Sequence, residues 1–236
     1  MSLDGKKVVI TGGSSGIGFA TAQRAVVQGA EVIIVSRSSH KLAHAKRLLS
    51  RLQTVVLDVR KEQEMKQFFE SFSPFDHLVT AAADAGGGPL FLQRETASAR
   101  DLFEGKFWGQ YVALKYAASK LRQGSSITLF SGWISRKPMT GYSTLAAIDG
   151  AVESLTRVLA LELAPIRVNA ISPGVIDTPL RSAMPEEVRH TTLEAFATRL
   201  PVRRVGQAED VAKAVLYLMD NDFTTGAILD VDGGQQ

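Results

Sequence analysis

The chain has 236 residues, no cysteine and a formal net charge of +3. Disulfides and thiolate metal sites are thereby excluded, and a reducing, cytoplasmic setting is expected. Basic residues are dispersed among acids, and no apolar run is long enough to span a bilayer, so neither a nucleic-acid groove nor a membrane segment is expected. In chain order, β-rich apolar runs predict strands over 6–11, 31–36, 54–57, 78–82, 126–130, 167–171 and 228–231. Helical spacing fills the intervals, over 17–28, 41–49, 62–72, 97–121, 142–163 and 208–219. Regular alternation of this kind predicts one α/β unit, a doubly wound Rossmann-type domain with a parallel sheet and helices on both faces. Ligands in such sheets sit beyond the carboxyl ends of the strands, so the motifs at those ends carry the most weight.

The first is Thr11-Gly12-Gly13-Ser14-Ser15-Gly16-Ile17-Gly18, between the first strand and the first helix. Gly12 permits a tight turn, Gly16 lets backbone approach a pyrophosphate, and Gly18 allows close helix–strand packing. The helix start adds free N–H groups and the positive end of its dipole. At the end of the second strand, an acidic residue would bind ribose hydroxyls and repel a 2′-phosphate. Ser36, Arg37 and Ser38 stand there instead. A guanidinium among small hydroxyls suits a phosphate, so NADP(H) is expected over NAD(H), with Ser14 and Ser15 adding hydroxyls.

The spacing of this turn resembles that of the short-chain dehydrogenase/reductase family, and the resemblance runs over essentially the whole chain. Leu57-Asp58-Val59 is similar to the family's third-strand end, which implies that Asp58 meets the adenine amino group. Asn169 to Thr178 looks like its sixth-strand motif, implying that the backbone at Pro173, Gly174 and Ile176, with Thr178, holds the nicotinamide end. Pro201 to Gly206 and Val231 to Gly234 are similar to its closing segment. The resemblance implies a sheet of about seven strands, a small-molecule carbonyl or alcohol substrate, a substrate-covering segment at about 178–200, and a homotetramer or homodimer. In that segment Leu180, Met184, Leu193 and Phe196 suggest an apolar lid. The glycine-bearing loop Asp84 to Pro89 suggests mobility beside the site.

In the family a serine after the fifth strand orients the substrate carbonyl, a tyrosine transfers the proton, a lysine four residues later assists it, and an asparagine anchors a relay water. Ser131 fits the serine, and Tyr142 the tyrosine. Ala146 stands where the lysine is expected, Lys106 where the asparagine is expected, and Thr80-Ala81-Ala82-Ala83 replaces the usual fourth-strand motif beside the cofactor. One positive charge about 5 Å from a phenol is worth about 3 kcal/mol at an effective dielectric of about 20. Its loss is expected to harm alcohol oxidation, which needs the tyrosine as base, more than reduction, in which a neutral phenol donates. Lys106 is therefore expected to supply the missing cation from the other side of the site. Two readings stay open: an NADP(H)-dependent oxidoreductase reducing a carbonyl or related group, and a catalytically silent NADP(H)-binding sensor or scaffold. His40 and His44 lie one helical turn apart without an acidic partner, so no metal site is expected.

Overall fold

The runs Val8-Val9-Ile10 and Val32-Ile33-Ile34-Val35 are β-branched throughout and fully buried, as strands covered on both faces must be. In the computed structural model, which describes residues 3–82, 87–179 and 184–235, they form β1 (Lys7–Thr11) and β2 (Glu31–Ser36) around α1 (Gly16–Val27). There follow α2 (Ser39–Leu48), β3 (Gln53–Val56), α3 (Glu62–Glu70) and β4 (Phe75–Thr80). Next come α4 (Thr96–Phe103), a π-helical turn (Glu104–Trp108), α5 (Gly109–Ala117) and β5 (Leu121–Phe130). The chain continues through α6 (Ser143–Glu162), β6 (Arg167–Pro173), β7 (Ile176–Asp177), α7 (Glu186–Arg199), β8 (Gly206–Gln207), α8 (Ala208–Asp220) and β9 (Ile228–Val231).

Seven strands make one sheet in the order β3-β2-β1-β4-β5-β6-β9, and every pairing is parallel. Alternate side chains feed two cores, as the two-residue period of a strand requires. Val8, Ile10, Val32 and Ile34 pack under α1, α2 and α8, with Leu42, Val211 and Val215. Val9, Leu78, Ile127 and Leu129 pack under α3, α5 and α6, with Phe69, Val112 and Val152. The sequence order reverses between β1 and β4, and a crevice opens there at the strands' carboxyl ends.

The expected fold class holds, with shifted boundaries. The long helix expected over 97–121 is divided by the π turn, where the Gly109 N–H reaches back to the Glu104 carbonyl. β5 starts at Leu121 rather than near 126 because its first residues pair irregularly with β4 between Phe75 and His77. α7 falls within the substrate-covering segment expected at about 178–200, whereas the short β7–β8 ladder was not foreseen; α7 buries no residue fully and so shows no clean apolar stripe. Among the described residues, no helix is long and apolar enough to cross a membrane.

Candidate active site

Gly12 ends β1 at φ +73°, and a Cβ there would stand 2.5 Å from the Ala82 nitrogen, so only glycine lets the turn pass the end of β4. Behind it Gly18 backs directly onto the Gly12 carbonyl, tying the α1 start to the strand. The first turn of α1 carries no acidic residue and Ser15 makes no side-chain cap, so its N–H groups and dipole stay available to an anion. A cavity of about 330 Å³ opens over them.

Most of the expected cofactor residues meet in this cavity. Gly12, Ser14, Ser15, Gly16 and Ile17 form its floor, Ser36, Arg37 and Ser38 one end, Asp58 and Val59 a wall, and Ala81, Ala82 and Thr178 the inner edge. The Ser14 hydroxyl donates to the Ser36 Oγ at 2.9 Å, joining the glycine turn to the end of β2. Pro173, Gly174 and Ile176 do not line it: Pro173 closes β6, Gly174 backs onto Asp232, and Ile176 is buried in β7. Ala83 and Asp84 to Gly86 lie outside the described residues, as does Leu180.

Ser131 follows β5 and is buried, its hydroxyl 3.4 Å from the Ile171 carbonyl. Tyr142 caps the start of α6 and is half-buried. Its hydroxyl lies against the loop after β4: a Cβ on Gly87 would be 2.7 Å from the Oη. Arg94 holds that loop against the approach to Tyr142, with Nη2 touching Gly88 and donating to the Gly141 carbonyl at 3.5 Å. Lys106 departs from expectation. Its ammonium is buried, donates to the Ser131 carbonyl at 3.2 Å and pairs with Asp149, and has no hydrogen bond to Tyr142. The physical reason is that a buried ammonium seeks an anion, and Asp149 is the buried α6 carboxylate beside it, whereas Glu153, one turn on, pairs with Arg136 and Arg157. Burial pushes the Asp149 carboxyl up, with Lys106 pulling the other way.

The family model described as enoyl-(acyl carrier protein) reductase matches residues 12–236. The short-chain dehydrogenase/reductase ATR9 of Stachybotrys chlorohalonatus is 34% identical over 99% of this chain and 98% of its own. The chain belongs to the short-chain dehydrogenase/reductase family. The 3-oxoacyl-[acyl-carrier-protein] reductase FabG of Thermotoga maritima is 32% identical, over 99% of each protein. A small-chain dehydrogenase solved in complex with NADPH superposes with a TM-score of 0.88 at 38% identity, over 98% of both chains.

Within this short-chain dehydrogenase/reductase, sequence reasoning missed several residues around the site. Lys41 and Arg60 join Arg37 in the cavity lining. Lys41 was legible in principle, since its N–H closes the cap on Ser38 at 3.3 Å and so fixes it one turn beyond. Arg60 follows Asp58, whose Oδ1 accepts its N–H at 3.1 Å, and its guanidinium bonds Asp101 at 2.8 Å. Gln110 staples three elements. Its amide donates to the Lys106 carbonyl at 2.8 Å and the Phe130 carbonyl at 3.0 Å, while its oxygen accepts from the Thr80 hydroxyl at 2.7 Å and from the Phe130 N–H at 2.8 Å. A four-fold satisfied buried amide fixes the ends of β4 and β5 against the π turn.

Proposed function

We propose that this oxidoreductase uses NADP(H) to reduce the carbonyl, or a related unsaturated group, of a small molecule. The observation that carries the reading is the cavity in which an α1 start free of acidic residues meets Arg37, Ser38 and Lys41. Free N–H groups fit a pyrophosphate, and two cations beside a hydroxyl fit a 2′-phosphate. The relative solved with NADPH supports the same choice. When bound, the cofactor supplies the hydride.

The chain's own residues do the rest. Ser131 holds its hydroxyl at the end of β5, where it turns from the Ile171 carbonyl to donate to the substrate oxygen. Tyr142 gives its phenolic proton to the alkoxide as it forms, and the Gly87 segment over its hydroxyl excludes water. Lys106 is a positioning residue: through the Ser131 carbonyl it fixes the peptide that carries the serine, and Asp149 holds Lys106. With Ala146 in place of the family lysine, reduction is the favoured direction. A homodimer or homotetramer fits the half-exposed rings of Trp108 and Tyr111, whose centroids lie 5.4 Å apart.

The test is a carbonyl panel with NADPH, run on the protein and on Tyr142→Phe. Turnover that disappears in the variant while NADPH fluorescence enhancement persists supports the reading. NADPH binding without turnover on any carbonyl overturns it.

A further inference from the structure

A second cavity, of about 690 Å³, lies between the segment that joins Ser131 to Tyr142, the end of α7 and the chain's last residues. Trp133, Met139 and Phe196 give it apolar walls. Lys137, Arg199 and Arg203 line it too, and among the described residues no acidic one does. Lys137 is neutralised by Asp232 at 2.7 Å, but Arg199 has no ionic partner among the described residues. Arg203 is held at φ +56°, and it is the one non-glycine with positive φ among the described residues. The Arg203 Nη1 donates to the Thr198 carbonyl at 2.6 Å, and the residue is otherwise exposed at the cavity mouth. Left-handed backbone at a bulky residue persists only where its surroundings over-determine it, and such strain gathers at binding sites.

A further observation points to a ligand. Gln235 lines the cavity at 8% exposure, and its Oε1 is buried with no hydrogen-bond partner among the described residues. Its place is fixed by close packing, since Gly233 backs onto Val202 and Gly234 onto Pro201. A buried acceptor left unmade is costly, and a half-turn of the side-chain amide presents its NH2 to a ligand carboxylate instead.

We propose that this cavity is the outer part of the substrate site, and that it takes a carbonyl compound whose apolar body ends in a carboxylate. The body lies on Trp133, Met139 and Phe196, and Arg199 and Arg203 hold the anion. Neither Ser131 nor Tyr142 lines this cavity, but the segment that does joins them: Trp133 lies two residues beyond Ser131, and the Tyr142 N–H closes a turn on the Met139 carbonyl at 3.3 Å. The inference rests on the reductase reading for its carbonyl end, but not for its binding site.

Benzoylpropionate and its methyl ester make the test. In a Trp108→Phe background, Trp133 is the remaining tryptophan, and its emission reports binding to the NADP⁺-saturated protein without turnover. The acid is expected to bind about tenfold more tightly than the ester, the size of one charge-assisted hydrogen bond. Arg199→Gln and Arg203→Gly should each erase most of that preference and raise KM for the acid more than for the ester. Glycine tolerates the positive φ, so Arg203→Gly is expected to keep the fold. Equal affinity for acid and ester, or a preference that survives both substitutions, overturns the subsite while leaving the reductase reading intact. Selective binding of the acid with no carbonyl reduced leaves the subsite standing and removes the reductase.

Discussion

Lys106, in the π turn, and Asp149, on α6, form a buried ion pair although 43 residues separate them in sequence. The second Asp149 oxygen, Oδ2, is buried with no partner among the described residues and lies against Gly132. The pair thus brackets the Ser131-Gly132 peptide, with the ammonium on the carbonyl of one residue and the carboxylate beside the other. A cation spent in this way organises the serine's backbone rather than the tyrosine's hydroxyl.

Breaking the pair from one side leaves an uncompensated buried charge. Lys106→Met is expected to cost about 3 to 5 kcal/mol of stability, and Asp149→Leu a similar amount. The double variant should recover most of the loss, because neither charge of the pair is then left inside without its partner. Urea unfolding of the four proteins measures the coupling. Additive losses would mean that the two side chains do not act as a pair.

Ala146 permits a direct test of what the α6 start lacks. Its N–H accepts no new role, being already bonded to the Tyr142 carbonyl at 2.8 Å, one turn away. Ala146→Lys should add a positive charge near the phenol and favour its anion. The rise of alcohol oxidation with pH is then expected to begin at a lower pH, so that oxidation at neutral pH increases about tenfold and kcat/KM for the reverse reduction changes with it as the equilibrium constant requires. The pH–rate profile of oxidation decides it, and an unmoved profile would show that the added charge does not act on the tyrosine's proton.

The fold was legible because its signals are local. β1 and β2 are unbroken β-branched runs, and Gly12 to Gly18 marks a strand-to-helix turn by residue type alone. The cavity lining at Arg37 and Ser38 was legible for the same reason, since these residues directly follow β2. The π turn was not, because inserting one extra residue into a helical hydrogen-bond ring barely alters apolar spacing. The Lys106–Asp149 pair and the Gln110 staple were hidden too: their partners come from separate elements, and no spacing in the chain connects them. The beginning of β5 reads as polar, Leu121-Arg122-Gln123-Gly124, and is held as a strand by neighbours such as Asp76, which accepts from Arg122 at 2.7 Å.

In the proposed reading, Arg37 and Lys41, which line the cavity, set the choice between phosphorylated and unphosphorylated dinucleotide. Replacing both with serine removes two charge-assisted contacts to a 2′-phosphate. NADPH affinity should fall by about tenfold to a hundredfold, with NADH affinity nearly unchanged. Calorimetric titration of both nucleotides checks the ratio. A parallel loss for the two would assign these cations to the pyrophosphate instead.

His77, in the middle of β4, gives the protein a specific acid sensitivity. The ring is buried and shares a hydrogen bond with the Ser126 hydroxyl at 2.8 Å. Burial lowers its pKa from 6.5 to about 4, against the opposing pull of the Asp76 carboxylate. Folded protein therefore stays unprotonated while the unfolded chain takes up a proton, and the unfolded state gains from acid. Stability is full above pH 6.5, falls as pH drops towards about 4, and stops falling from this cause below that value. One proton's difference gives a slope of about 1.4 kcal/mol per pH unit, and about 3 kcal/mol over the whole window. His77→Asn keeps a polar partner for Ser126 but cannot titrate. The variant should be less stable than the parent near neutral pH, by about 1 kcal/mol for imperfect packing, and should lose less on acidification, so that the two stability curves converge or cross before pH 4. Carboxylate titration is common to both proteins and cancels in the difference. Curves that run parallel from neutral pH to pH 4 would show that the imidazole is protonated as readily inside the sheet as outside it.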